Sequence, residues 1–476
     1  MSKRLLEEIR SWKAEAKLED SERYFFHIDE VDKILSGESS YVIGRKGTGK
    51  TAISEYLNKI SEPKKFSQKL TFKNFPFNAL YELDNDSYTS PNQYITIWKY
   101  VIYSSLAKLF IKNENIDLST RSKLESIYTE DLSRALSRAV KKWTSKTFSL
   151  KVLGSGISVG GEKDQDANEL SWIDKVDILE DFIASNIDDC TYLIIFDELD
   201  EDYKDIIAPE KHKRYTQLLT SLFKAVQDIR SIFSDKKLYP VILLRDDIYD
   251  VLRDPDKTKW DDLKISLNWS EDLIKNLLSF RLGRAHDPKG ESFTYQKSWN
   301  NAFKTGDVRY GNKKSKRMRQ FDYISRSTHL RPRDFVKYIQ LCAKKALEKK
   351  QEKISPSIIS QVNNEFSAYL RSEIEDEISG VVPEIHDILD IFARLRKQTL
   401  KISEFTEEYE RAIKDGELPR RDAVFVLNVL YIFSVIGGQP KQKTFQVFRY
   451  YNPGTSLNMN DNIIVHRGLY RSLQIL

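Results

Sequence analysis

An α/β fold with a parallel sheet, followed by a helical region and a tail of three helices and a hairpin, is what the sequence predicts. Three observations carry this. Up to about residue 270, short apolar runs alternate with helical patterns. The strongest run, "YLIIF" at 192–196, is apolar on both faces, as a parallel strand covered by helices on both sides must be. Beyond residue 270 helical periodicity takes over, and β-rich stretches return only in the last residues.

The elements follow in order. The first residues, "MSKRLLEEIRSWKAEAKLED", read as a charged amphipathic helix over 1–20 without the apolar centre of a signal peptide. A strand is expected at Tyr41–Ile43, then a helix through "TAISEYLNKIS" that ends before Pro63, then a strand in "KLTFKNFPF". "SPNQYITIWKYVIYSSLAKLFIKN" is a long helix with Ser90 as its cap and Pro91 at its first position. Residues 115–145 are helical and polar, and "KTFSLKVLGSGISVGGE" carries a hairpin signal. A helix over 171–186, a buried strand ending in acid at "IIFDELD", a helix at 218–233 and a strand at "YPVILLRDD" complete this part. Three helical segments follow, starting at residues 270, 329 and 355. "SGVVP" at 379–383 is the boundary to a last domain. The expected organisation is thus an N-terminal helix (1–20), an α/β domain (21–270, with an insertion at about 115–185), a helical lid (271–378) and a winged helix-turn-helix (379–476).

Composition narrows the function classes. A chain of 476 residues is long enough for several cores, and its net charge of +5 does not demand a nucleic-acid partner. Two cysteines, Cys190 and Cys342, sit in apolar patterns and suggest a reducing compartment. The six histidines show no metal-ligand spacing. The longest apolar run, residues 423–438, is too short to span a bilayer comfortably. The expectation is a cytoplasmic protein with no membrane partner.

The chemistry resides in "YVIGRKGTGKTAI" at 41–53. It fits G-x-x-x-x-G-K-[ST], with a strand before and a helix after. Glycines let successive backbone N–H groups turn toward anionic oxygens, and the following helix adds the positive end of its dipole. Gly44, Arg45, Lys46, Gly47, Thr48, Gly49, Lys50, Thr51 and Ala52 are the expected phosphate-binding residues. Lys50 would reach the β- and γ-phosphates of ATP, and the Thr51 hydroxyl would ligate Mg²⁺. A second acid is required. Asp197, at the C-terminal edge of the "IIFD" strand, would hold the Mg²⁺ shell, and Glu198 would act as general base on water. The adjacent glutamate marks P-loop proteins with an extra strand between the phosphate loop and the acidic strand, and "YPVILLRDD" is the candidate. Arg245 at its end, with Asp246 and Asp247 behind it, is either a γ-phosphate sensor or an ordinary strand-end ion pair.

Together, "FHIDEVDKILSGESSYVIGRKGTGKTAI", "IIFDELD", "ILLRDDIYDVL" and "HLRPRDFVKYI" resemble a family of bacterial P-loop ATPases near the AAA+ and STAND groups. The resemblance spans most of residues 20–370. It implies an ASCE/AAA+-like sheet with a helical lid whose arginine touches the γ-phosphate; "LRPRD" resembles that motif, with Arg333 first and Arg331 second. It also implies ATP hydrolysis driving a conformational switch, in relatives often placed in stress or phage defence. Two departures stand out: Arg245 and its aspartates replace the usual polar sensor, and the Thr51–Asp197 interval is long. No arginine finger acting in trans is assigned; Arg253, Arg281 and Arg284 are guesses for one.

The tail weighs partners. Its charge is nearly balanced, and its would-be recognition helix, "RRDAVFVLNVLYIFSVIGG", is apolar nearly all round, so burial is expected rather than a seat in a DNA groove. The expected partner is therefore a separate protein or a second copy of the chain. The alternatives are a DNA-binding AAA+ ATPase of initiator type and an ATP-gated scaffold that does not hydrolyse. Lys441, Lys443, Arg449, Tyr450 and Tyr451 in the wing either grip nucleic acid or pack on the core. "GNKKSKRMRQ" at 311–320 is the densest basic run, either a phosphate track or a solvated loop.

Overall fold

The computed structural model describes residues 2–73, 75, 77–81, 92–129, 132–145, 150, 153, 171–202, 209–288, 294–440 and 445–475. The chain divides into two compact units. One holds His27–Arg45 and Lys50–Leu267; the other holds Met1–Phe26, Lys46–Gly49 and Asn268–Leu476.

The first is built on a parallel five-stranded sheet in the order β2-β3-β4-β1-β5. Its strands are β1 (Tyr41–Ile43), β2 (Lys65–Thr71), β3 (Thr191–Asp197), β4 (Leu238–Leu244) and β5 (Lys264–Ser266). Every residue of β3 is buried, as its unbroken apolar run requires. The extra strand expected at "YPVILL" is β4, which pairs with β1 on one side and β3 on the other. This is the strand order of the AAA+-like P-loop class.

The helix Ile95–Lys112 is buried over almost its whole circumference, consistent with its apolar composition. Its Trp98 indole donates to the Leu218 carbonyl at 2.8 Å, and the ring meets Phe72 and Phe196 edge-on. The expected caps Ser90 and Pro91, and nearly all of the hairpin at 146–162, lie outside the described residues.

One strand is displaced. The expected strand at 69–77 runs instead over Lys65–Thr71. Phe72 closes the ladder by donating its N–H to the Asp197 carbonyl at 3.0 Å. Beyond it, the Phe72, Phe75 and Phe77 rings gather on each other at 4.9–5.8 Å, which an extended strand with alternating faces does not permit.

In the other unit, the N-terminal helix Ser2–Ser11 buries Leu5, Leu6 and Ile9 against the helices Pro332–Glu348 and Glu271–His286. Ser270 caps the latter by accepting the Leu273 N–H at 3.1 Å. Pro332 opens the former at its first turn. The helical pattern from residue 355 splits into Pro356–Gln361 and Asn363–Ile378. Tyr338 donates its hydroxyl to the Ile359 carbonyl at 2.9 Å, competing for a group that the uninterrupted helix would use. Between these helices, β6 (Val308–Tyr310) and β7 (Lys316–Met318) form a small antiparallel hairpin.

The tail has the expected three helices, Ile385–Leu395, Ile402–Lys414 and Ala423–Ile432. They accompany an antiparallel sheet of β8 (Thr399–Leu400), β10 (Asn462–Val465) and β9 (Ile436–Gln439). The apolar run expected as one helix to residue 438 turns at Ser434, whose φ is 56°, and becomes β9. Among the described residues of "KTFQVFRYY", Val447 alone bridges Gly438, and no partner strand is formed there. A Cβ at Gly437 would stand 2.9 Å from the Phe448 ring, so the missing side chain is what lets that ring lie on the strand.

Candidate functional site

The phosphate loop adopts backbone conformations that only glycine takes cheaply: φ is +85° at Gly47 and +106° at Gly49. The helix Lys50–Asn58 begins immediately after. The Lys50 ammonium is drawn back over the loop, donating to the Gly44 carbonyl at 2.7 Å and the Arg45 carbonyl at 3.0 Å. Burial pushes its pKa down from the usual lysine range, while the charges of Asp200, Asp246 and Asp197 act to hold it up.

The acidic strand end meets that helix. Ser54, one turn beyond Lys50, donates its hydroxyl to Asp197 Oδ2 at 2.6 Å. Asp197 is almost fully buried at the end of β3, and its Oδ1 accepts the Glu198 N–H at 3.0 Å. Glu198 sits at φ +59°, a left-handed conformation that a non-glycine residue holds only under constraint from its surroundings. Arg245 forks onto Asp247, with Nε–Oδ1 at 2.9 Å and Nη2–Oδ2 at 2.7 Å, and reaches Asp200 at 3.6 Å. Of the two readings of Arg245, the strand-end ion pair is therefore formed.

Motif spacing does not single out Lys69, Ser54 or Asp200. Lys69 on β2 places its ammonium 2.8 Å from both Asp197 and Glu55. Burial lowers the Lys69 pKa, and the two carboxylates more than reverse this. The strand KFSQKLT is mostly polar, so its sequence does not mark Lys69 out; burial does, because a buried charge needs a partner. Ser54 lies four residues beyond Lys50 on the same helix face, a position the loop motif does not specify.

Among the described residues no group of three or more His, Cys, Asp or Glu could hold a metal ion. The oxygen donors of Asp197, Thr51 and Ser54 nevertheless fit Mg²⁺. It commonly binds through one or two carboxylates and substrate phosphates rather than in an all-protein cage. Asp197 already carries a cation, Lys69, in its shell.

The loop tip is held by residues just before or at the start of the helices Glu271–His286 and Pro332–Glu348. The Trp269 indole donates to the Thr48 carbonyl at 2.9 Å, Arg331 Nη1 to the Lys46 carbonyl at 2.9 Å, and the Arg333 N–H to the Gly47 carbonyl at 3.4 Å. Arg331 is 1% exposed and ion-paired to Asp334 at 2.9 Å and Glu377 at 2.6 Å. Burial alone would weaken its hold on the proton, and the two carboxylates outweigh that. Arg333 is more open and shares Glu373 with Lys46, at 2.9 and 3.9 Å. A Cβ on Gly47 would stand 3.2 Å from Arg331 Cδ and Arg333 Cβ, at a φ where side chains are strained. Gly47→Ala is accordingly expected to cost about 1–3 kcal/mol, read as a lowered thermal midpoint.

The remaining candidates separate. Arg281 is buried, paired to Glu19 at 2.5 Å and lying over the Trp12 and Tyr24 rings at 4.7 Å, so it is a core cation and cannot project toward another molecule. Arg284 donates to the Pro288 carbonyl, and Arg253 to the Asp250 carbonyl. In the wing, Lys441 and Lys443 lie outside the described residues. Tyr450 packs against His329 and His466 at 5.5 Å, which is the core-packing reading. Cys190 and Cys342 are free and buried, with burial raising both thiol pKa values.

A glycine-rich loop between a parallel strand and a helix, with the acidic strand two places away in the sheet, defines a P-loop α/β protein. A family described as the FunZ-associated C-terminal helical domain matches residues 272–375. No curated protein matches the chain. Among solved structures, Aeropyrum pernix ORC1 in complex with DNA aligns at 9% identity over 97% of this chain and 96% of its own, with a TM-score of 0.39. Aeropyrum pernix ORC2, in ADPNP–ADP complexes, aligns at 12% identity over 96% and 90%, with a TM-score of 0.41. Cdc6p from Pyrobaculum aerophilum aligns at 12% identity over 93% and 89%, with a TM-score of 0.32. At these values the fold rests on the strand order and the loop. Among the described residues, no helix is long and apolar enough to cross a membrane.

Proposed function

We propose that the chain binds ATP with Mg²⁺ and hydrolyses it, and that the cycle switches its conformation toward a separate partner. The observation that carries this reading is the 2.6 Å hydrogen bond from Ser54, on the phosphate-loop helix, to Asp197. It ties the helix that follows the loop to the acidic strand end. Backbone amides of residues 44–52 would cradle the phosphates, and Lys50 would release the Gly44 and Arg45 carbonyls to reach the β- and γ-oxygens. Thr51 and Asp197 would hold Mg²⁺, whose charge, when bound, offsets that of the transferring phosphoryl group. Glu198 would orient and deprotonate the attacking water. Arg333 is the preferred γ-phosphate contact, because Arg331 already balances two carboxylates. Arg245 would sense phosphate only by loosening its fork on Asp247.

The loop carbonyls supply the switch. Trp269, Arg331 and the Arg333 amide already read the positions of residues 46–48, so a nucleotide that reshapes the loop pulls on the helix Pro332–Glu348. The helix Ala423–Ile432 buries Val426, Leu427 and Leu430 and exposes Val424 (45%) and Phe425 (39%). Arg421 lies over the Phe425 ring at 6.0 Å but is ion-paired to Glu384 at 2.6 Å, so this exposed apolar pair favours a protein partner or a second copy over a DNA groove. The family resemblance supports reading such a switch in a bacterial stress or phage-defence setting.

Calorimetric titration with Mg-ATP tests the site. The Lys50→Ala, Thr51→Ala double variant is expected to lose about a hundredfold or more in affinity, through removal of charge-assisted contacts. Unaltered affinity would sink the assignment.

A further inference from the structure

We propose that the β6–β7 hairpin is a docking element for the phosphate backbone of duplex DNA, distinct from the phosphate loop and from the wing. Three features of the hairpin oppose its own stability. The register sets Arg309 directly across from Arg317, a like-charge pair on adjacent strands. At the tip, Lys313 and Lys314 both adopt left-handed backbone conformations, with φ of 49° and 55°, where glycine or asparagine would be relaxed. Among the described residues, no carboxylate lies within 4.0 Å of Arg309, Lys313, Lys314, Lys316 or Arg317, and all five are exposed. Local choices that conflict with local stability concentrate where function imposes them.

The chemistry of the hairpin selects its partner. No apolar or aromatic side chain is exposed on its two strands. Val308 is buried, Met318 is partly covered, and the Tyr310 ring lies beneath the Arg326 guanidinium at 4.1 Å. A protein interface needs an apolar centre, and a single-strand site needs rings on which bases stack; this hairpin offers neither. A narrow two-stranded ribbon bearing these five cations along its edges and tip suits the closely spaced phosphates of a duplex. Binding of this kind is independent of sequence and steeply dependent on salt.

The inference does not rest on the nucleotide reading, and its test keeps the two apart. The full chain is titrated into a fluorescent duplex of about 30 base pairs at salt concentrations from about 50 to 200 mM. The comparison is a variant carrying Arg309→Gln, Lys313→Asn, Lys314→Asn, Lys316→Gln and Arg317→Gln. Wild type is expected to bind with a steep salt slope. In the variant the slope should fall by about 0.9 for each phosphate that is no longer neutralised, and affinity at low salt by about tenfold or more. Its thermal midpoint should be unchanged or higher, since charge repulsion and backbone strain are both relieved, and its Mg-ATP affinity should match wild type. Wild-type slope and affinity in the variant would overturn the proposal. So would competition by poly-glutamate as effective as that by unlabelled duplex, or loss of binding confined to an Arg449→Gln wing variant.

Discussion

Arg331→Ala is expected to destabilise its unit by about 3–5 kcal/mol, read from denaturant or thermal unfolding, because truncation leaves two buried carboxylates without their cation. Asp334 is fully buried and Glu377 nearly so, and Arg331 is the guanidinium that touches both. The same change frees the Lys46 carbonyl, so phosphate-loop order and nucleotide affinity should fall together with stability. Arg333→Ala is the control. Its partner Glu373 keeps Lys46 nearby, the pair is part-exposed, and the stability loss should stay within about 1 kcal/mol. Equal destabilisation by the two variants would contradict the division of labour drawn between them.

Glu198→Gln should retain Mg-ATP affinity within a few fold and lower steady-state hydrolysis by about 10²–10⁴-fold, as loss of a general base does. Phosphate release and calorimetric titration on the same preparation separate the two effects. Hydrolysis equal to wild type would remove Glu198 from the chemistry. If neither protein turns over nucleotide, the chain is an ATP-gated scaffold instead. Adding duplex DNA or varying protein concentration in the same assay discriminates the initiator-type alternative from a partner or self-association reading.

Much of this is legible along the chain. The phosphate loop is contiguous, so its glycines, Lys50 and Thr51 can be read from spacing, and the structure bears out the strand before and the helix after. The strand ending in Asp197 declares itself by an unbroken apolar run, and the extra strand expected at "YPVILL" is present as β4. The pattern misleads where packing overrides it. Apolar content cannot distinguish a buried helix from a helix that turns into a strand, which is why Ala423–Ile432 and β9 read as one element in the sequence. The gathered phenylalanines after β2 resemble more strand for the same reason.

The sequence by itself determined the α/β class, the phosphate loop and its acidic counterpart, because each depends on residues adjacent in the chain. Only the tertiary structure decided which polar and charged groups meet: Lys69 and Ser54 on Asp197, Arg331 between Asp334 and Glu377, and Arg309 across from Arg317. Coulomb and hydrogen-bond energies depend on separation in space and on burial, and neither quantity is written in the spacing of residues along the chain.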